Sequence, residues 1–200
     1  MTPFIKSIVK EICNNLGYKT RYSSYAKLIS SDVYSTLFFD IAHFGVKGHS
    51  FVAPRIGVLH LKVEKLLYDV SRMEWYRKPD VPTISEHIGY ILPCNKWTEW
   101  DFAEGACDTA AKAFDMQDKI QRCALSYSAQ YSDLGNIIAY AEELPYGSAF
   151  NHKLIIRLPI MYYLAGRKDL GLKYIERICT KHPDNLLFTL TYRTNYNNLQ

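Results

Sequence analysis

Residues 33–46 read VYSTLFFDIAHFGV and residues 51–60 read FVAPRIGVLH. This pair decides the fold. Both runs are dense in β-branched and aromatic residues, which fit a pleated, half-buried surface. Gly45 and Gly48, with Lys47 between them, form the turn that joins the two strands. Phe38 and Phe39 break strict alternation, so part of the first strand is covered on both faces. Pro54 has no N–H to give to a ladder, which places the second strand at an edge or at a bulge.

Working outward, residues 4–16 carry Phe4, Ile5, Ile8, Val9, Ile12 and Leu16 at spacings of three and four, the mark of an amphipathic helix. Thr2 stands as its N-cap, Pro3 at its first position and Gly17 at its end. Residues 25–29 form a short strand. Residues 61–71 return to helical spacing through Leu61, Lys65, Leu66 and Val70. The segment RKPDVPT at 77–83 is a linker, and TISEHIGYIL at 83–92 is a further strand closed by Pro93. The expected sheet has three to four strands, mostly antiparallel, with helices on one face.

The second half reads as helical. Residues 101–127 carry Phe102, Ala106, Ala110, Ala113, Phe114, Ile120 and Ala124 on one side. Ser132-Asp133 caps a helix through Leu134, Ile137, Ile138 and Ala141. PYGSA at 145–149 is a turn. Residues 152–165 and 170–179 form a helical pair, with Pro159 kinking the first or setting its start. No second copy appears at a fixed period, so no solenoid is expected. The tail FTLTYRTNYNNLQ is polar and reads as a frayed end. The fold class is therefore α+β: one domain over residues 1–200, with a sheet half at 1–94 and a helical half at 95–200.

The 200 residues are 48% apolar and 22% charged, which are globular proportions. A net charge of +4 does not by itself mark a nucleic-acid protein. Lys6 and Lys10 interrupt the apolar residues of the N-terminal stretch, which therefore has no signal-peptide core. No run approaches the ~20 apolar residues of a membrane span. Cys13, Cys94, Cys107, Cys123 and Cys179 are widely spaced with no C-x-x-C, as expected of small core thiols in a reducing compartment. The expected location is the cytosol.

Charge is unevenly spread. Residues 1–80 hold 12 basic and 7 acidic side chains, residues 81–143 hold 4 and 10, and residues 144–200 hold 8 and 3. Glu99, Asp101, Glu104 and Asp108 cluster at the start of the expected long helix. Carboxylates there compensate the helix dipole by about 0.3–1 kcal/mol each. The alternative is a face for a basic partner, since opposed charge speeds encounter and fixes partner choice. Trp97 and Trp100 sit beside the cluster in KWTEWDF, either as core or as an interface anchor.

Catalytic and metal motifs are missing from the six histidines: there is no H-x-E and no H-E-x-x-H. GHS at 48–50 is not a nucleophile elbow. His43, His60 and His87 fall on or near strands and would line a small-ligand pocket if they converged. Lys19, Arg21, Tyr22, Tyr25 and Lys27 mix basic and aromatic residues as single-strand nucleic-acid binders do. The acidic middle opposes a phosphate backbone, so nucleic acid is not the expected partner.

The series of elements resembles an uncharacterised family of small bacterial α+β proteins. The features are LGYK at 16–19 closing the first helix, the two long strands, HIGYILP at 87–93, and LPIMYYLAGRKDLGLKYIERI at 158–178. Such families occur among immunity proteins of polymorphic-toxin and contact-dependent growth-inhibition systems. The resemblance implies a non-catalytic cytosolic antidote without cofactors, which binds a cognate toxin domain. It carries no functional residues across. The interface expected from the residues themselves is Trp97, Glu99, Trp100, Asp101, Glu104 and Asp108. Many immunity proteins against nucleases are acidic overall, and this chain is mildly basic. Either its acidic middle makes the contact, or the toxin is not a strongly basic nuclease.

Overall fold

The computed structural model describes residues 2–22, 24–43, 48–77, 81–143, 151–181 and 188–200. It is an α+β protein with an N-terminal helix, an antiparallel sheet, and helices through the C-terminal half. The turn at 45–48 falls largely outside the described residues, and the turn at 145–149 does so entirely.

Helix α1 (Pro3–Asn15) starts where Thr2 Oγ1 accepts the Ile5 N–H at 3.3 Å. It buries Ile5, Val9, Ile12 and Cys13. Gly17, at φ +76°, then turns the chain in a conformation that favours glycine. The strands are β1 (Lys19–Arg21), β2 (Ser24–Ser30), β3 (Val33–Ala42), β4 (His49–His60), β5 (Ile84–His87) and β6 (Trp100–Ala103). The sheet order is β1-β2-β3-β4-β5, with β6 also on β4. Six strands among the described residues exceed the expected three to four. The additional ones run three or four residues, too short to set up a period.

Two readings near the acidic cluster are corrected. Trp100–Ala103 is strand, not helix: it pairs antiparallel with β4 from His49↔Ala103 to Val52↔Trp100. Trp100 and Phe102 are buried while Asp101 and Ala103 are half-exposed, a period of two. Helix α4 begins only at Thr109 and runs to Tyr131, with no carboxylate in its first turn. Dipole compensation therefore does not explain Glu99, Asp101 or Glu104, and Asp108 alone stands at the helix start, where its carbonyl accepts the Lys112 N–H at 3.0 Å. Likewise the strand expected to reach Leu92 stops at His87, where the short helix α3 (Ile88–Ile91) takes over. Pro54 lies inside β4, an interior strand, rather than at an edge. It falls beyond the last β6 pair at Val52, where that neighbour no longer needs an N–H.

The chain divides into two compact units that interleave in sequence. The first comprises residues 1–58 and 85–130. In it α1 and α4 meet over β3: Asn15 Nδ2 donates to Gln117 Oε1 at 3.0 Å, and Ser35 Oγ is shared by Tyr18 (2.6 Å) and Ser128 (2.9 Å). Leu37, Val52, Ile56, Ile88, Phe102, Met116 and Ile120 fill its core. Each such side chain contributes about 1.5–3 kcal/mol by leaving water.

The second unit comprises residues 59–84 and 131–200. It holds α2 (Leu61–Ser71), α5 (Leu134–Glu143), α6 (Asn151–Leu164), α7 (Lys168–Lys181) and α8 (Leu190–Asn197). Asp133 Oδ1 accepts the Gly135 N–H at the start of α5. The tail is not frayed. Thr189 Oγ1 caps α8 by accepting the Tyr192 N–H at 3.1 Å. Tyr192 and Tyr196, one turn apart, are fully buried. Their hydroxyls donate to the carbonyls of Ile156 and Pro159 on α6 at 2.8 Å. Polar tyrosines thus enter a core because each buried hydroxyl finds a backbone acceptor there.

No helix among the described residues is long and apolar enough to cross a membrane. All five cysteines are free. Cys13 and Cys123 are buried and Cys179 is half-buried. Cys94 and Cys107 are exposed, so those two are not core thiols.

Candidate protein-binding surface

The first unit carries an aromatic, acidic surface built on the end of β5. There Gly89 N–H donates to His87 Nδ1 at 3.1 Å, which makes His87 the N-cap of α3. Gly89 O in turn accepts the Lys96 N–H at 3.0 Å. A Cβ at position 89 would lie 2.0 Å from Lys96 O, so only glycine lets the 92–99 loop lie directly on α3. That contact seats the Trp97 indole on the His87 imidazole, with ring centroids 4.0 Å apart and planes at 8°. Tyr90 approaches the same imidazole edge-on at 5.8 Å.

Trp97 remains 50% exposed and Tyr90 45% exposed. The indole N–H of Trp97 donates to Glu99 Oε2 at 2.9 Å. The surface therefore presents an aromatic plate, held on one side by a neutral ring, with a carboxylate fixed at its edge. Such a plate attracts a cation both through its π face and through the carboxylate.

Charged groups surround His87 beneath the plate. Arg55 Nη2 on β4 pairs with Asp40 Oδ2 on β3 at 3.1 Å. Glu86 on β5 accepts the His87 backbone N–H at 2.7 Å. Burial pushes the Glu86 carboxyl above its ordinary range, against the pull of that hydrogen bond and of Arg55. Burial and the Arg55 charge push the His87 imidazole down, against Asp40 and Glu99. His87 is 1% exposed, and its Nε2 has no hydrogen-bond partner.

Of the six expected interface residues, Trp97 and Glu99 come together on this surface. Asp101, next along on β6, pairs with His49 Nδ1 at 3.0 Å and is half-exposed. Glu104 is exposed in the turn that follows, where its N–H donates to Gly48 O. Asp108 is exposed but neutralised by Lys112 at 2.9 Å. Trp100 is not on the surface: it is 6% exposed, and its indole N–H donates to Asp115 Oδ2 at 2.8 Å. Hydrogen bonding from Lys119 holds that carboxyl below its ordinary range, and Trp100 adds to the effect. Tyr90, Arg55, Asp40 and Glu86 carry no sequence signal of a site, and the sequence marks His87 only as one of three strand histidines, because only the folding of β3, β4, β5 and α3 brings these residues to one place.

The three strand histidines share no partner. His43 Nδ1 lies 3.1 Å from Ser50 Oγ, and His60 Nε2 donates to Tyr131 O at 2.9 Å, while His87 caps α3. His182 lies outside the described residues. Among the described residues, no group of three or more His, Cys, Asp or Glu side chains is placed to hold a metal ion. The basic-aromatic set on the first hairpin is partly engaged within the chain. Arg21 stacks over Tyr22 and Tyr34, Lys27 Nζ donates to Leu16 O, and Tyr25 meets Phe39 edge-on.

No protein-family model, no curated protein and no solved structure matches this chain.

Proposed function

We propose that this chain is a non-catalytic binding protein that neutralises a cognate bacterial toxin domain in the cytosol. Its contact surface is Trp97, Tyr90 and Glu99, extended by Asp101 and Glu104. The observation that carries this reading is the seating of Trp97. A half-exposed indole stacked on a buried imidazole and tied to Glu99 has little rotamer freedom left to lose on binding. Preorganised aromatics of this kind dominate protein interfaces. The flanking carboxylates favour a partner that offers a basic side chain to the plate.

The test is co-expression with the toxin domain encoded beside this chain's gene, reading growth rescue and co-purification. The wild-type chain is expected to protect and to bind. Trp97→Ala is expected to weaken binding by about 30-fold or more, the loss of about 2 kcal/mol typical of a hot spot. Glu99→Lys is expected to do the same by charge reversal. A wild-type chain that neither binds nor protects would end the reading. Binding that withstands both substitutions would move the interface elsewhere.

A further inference from the structure

The two nitrogens of His87 are in opposite situations. Nδ1 accepts the Gly89 N–H and must be unprotonated to do so. Nε2 therefore carries the proton of the neutral ring, and it is buried with no acceptor. The chemical consequence of a second proton is specific. It would sit on Nδ1 and face the Gly89 N–H, donor against donor, so the cap of α3 could not persist. Gly89 is also the residue on which the 92–99 loop rests, through the Lys96 N–H to Gly89 O bond. The ring that would gain charge is the one on which Trp97 is stacked.

We infer that His87 is a proton-operated latch for the loop that carries Trp97. Neutral, it caps α3 and seats the indole; protonated, it releases both. Its surroundings bracket the transition. Arg55 on β4 opposes the proton. Asp40 on β3 and Glu99 on the loop favour it. Glu86 on β5 faces the ring's own backbone, and Tyr90 on α3 adds only a ring edge. Burial lowers the imidazole from its ordinary value of 6.5, so the latch stays closed at neutral pH and opens on acidification. Below its midpoint the closed fraction falls about tenfold per pH unit, as for any one-proton equilibrium. The latch belongs to the free chain; only its consequence, loss of partner affinity in acid, rests on the proposed function.

The test is nuclear magnetic resonance on the isotope-labelled free protein between pH 7.5 and 4.5, following the His87 ring nitrogens, the Gly89 amide and the Trp97 indole N–H. All three are expected to move together with one midpoint below 6.5. The comparison is made in a Glu86→Gln background, which removes the titration of the neighbouring carboxyl; there His87→Asn keeps an acceptor for the Gly89 N–H but cannot titrate, and its Gly89 and Trp97 signals are expected to stay fixed over that range. Signals that do not follow His87, or that move equally in His87→Asn, overturn the latch. If that variant does not fold, agreement or disagreement of the three wild-type midpoints decides. Binding to the toxin domain at the two pH extremes is a separate arm. A partner that binds at neither pH refutes the proposed function and leaves the latch standing, whereas resonances that fail to move refute the latch alone.

Discussion

Separating Glu64 from Arg157 should be the most damaging single change in the second unit. Both side chains are almost completely buried, at 2% and 1% exposure. Arg157 Nε and Nη2 reach Glu64 Oε1 and Oε2 at 2.8 and 2.7 Å, the two-pronged geometry that suits guanidinium to carboxylate. Thr83 Oγ1 donates to the same Glu64 Oε1 at 2.8 Å and itself accepts the His60 N–H at 3.0 Å. The Tyr76 ring lies 5.4 Å from the guanidinium. Burial works against the charge on Arg157, and the Glu64 carboxylate together with Tyr76 more than offsets it, leaving the guanidinium above its ordinary value. Arg157→Met would leave a buried carboxylate with Thr83 as its remaining donor, and Glu64→Gln would leave a buried guanidinium without its counter-charge. Each should cost about 3–5 kcal/mol. For a chain of this length that is roughly 6–20 °C in Tm. Glu64→Leu combined with Arg157→Met removes both charges and should recover most of the loss, because the desolvation of both ions disappears with them. The assay is urea unfolding at pH 7 by far-UV circular dichroism, comparing midpoints at constant slope for the wild type, both single variants and the double. Single variants within about 1 kcal/mol of wild type, or a double variant equal to the sum of the singles, would refute a tightly coupled buried pair.

Two further substitutions test the packing. Glu86→Gln keeps an acceptor for the His87 N–H while removing a charge that burial disfavours. Because the folded-state carboxyl is pushed up from 4.5, its ionisation costs stability as pH rises through the folded value. The variant should therefore unfold at higher urea than wild type at pH 7, and the gain should vanish below pH 4.5; an equal gain at both would contradict the sign. Gly171→Ala would place a Cβ 1.9 Å from the Tyr196 hydroxyl and 3.1 Å from Pro159 O. It should lower stability by about 1–3 kcal/mol, as overpacking does, and Tyr196→Phe in the same background should return part of it. A neutral Gly171→Ala in thermal melts would show that α8 does not dock on α6 and α7 through that tyrosine.

Long periodic segments were legible without a structure. Helix α1 shows its face, cap and stop in residues 2–17, and α2 follows directly from the spacing of Leu61 to Val70. Strands β3 and β4 follow from runs of β-branched and aromatic residues. Short elements were not legible, because three or four residues cannot distinguish a period of two from one of 3.6. That is why residues 101–103 read as helix and Ile88–Ile91 as strand. The docking of the tail is hidden from the sequence for another reason. Its tyrosines are polar in composition but apolar in bulk, and only the carbonyls of α6 reveal which property counts.

The amino-acid sequence alone determined the α+β class and the unequal distribution of charge, and it singled out Trp97 and Glu99, because side-chain type and local period are written along the chain. Which tryptophan faces solvent, which carboxylates are already paired, and that His87 lies unsatisfied beneath an indole were decided only by tertiary structure. Burial and partnership are properties of neighbours brought together from β3, β4, β5 and β6, and no local pattern encodes them.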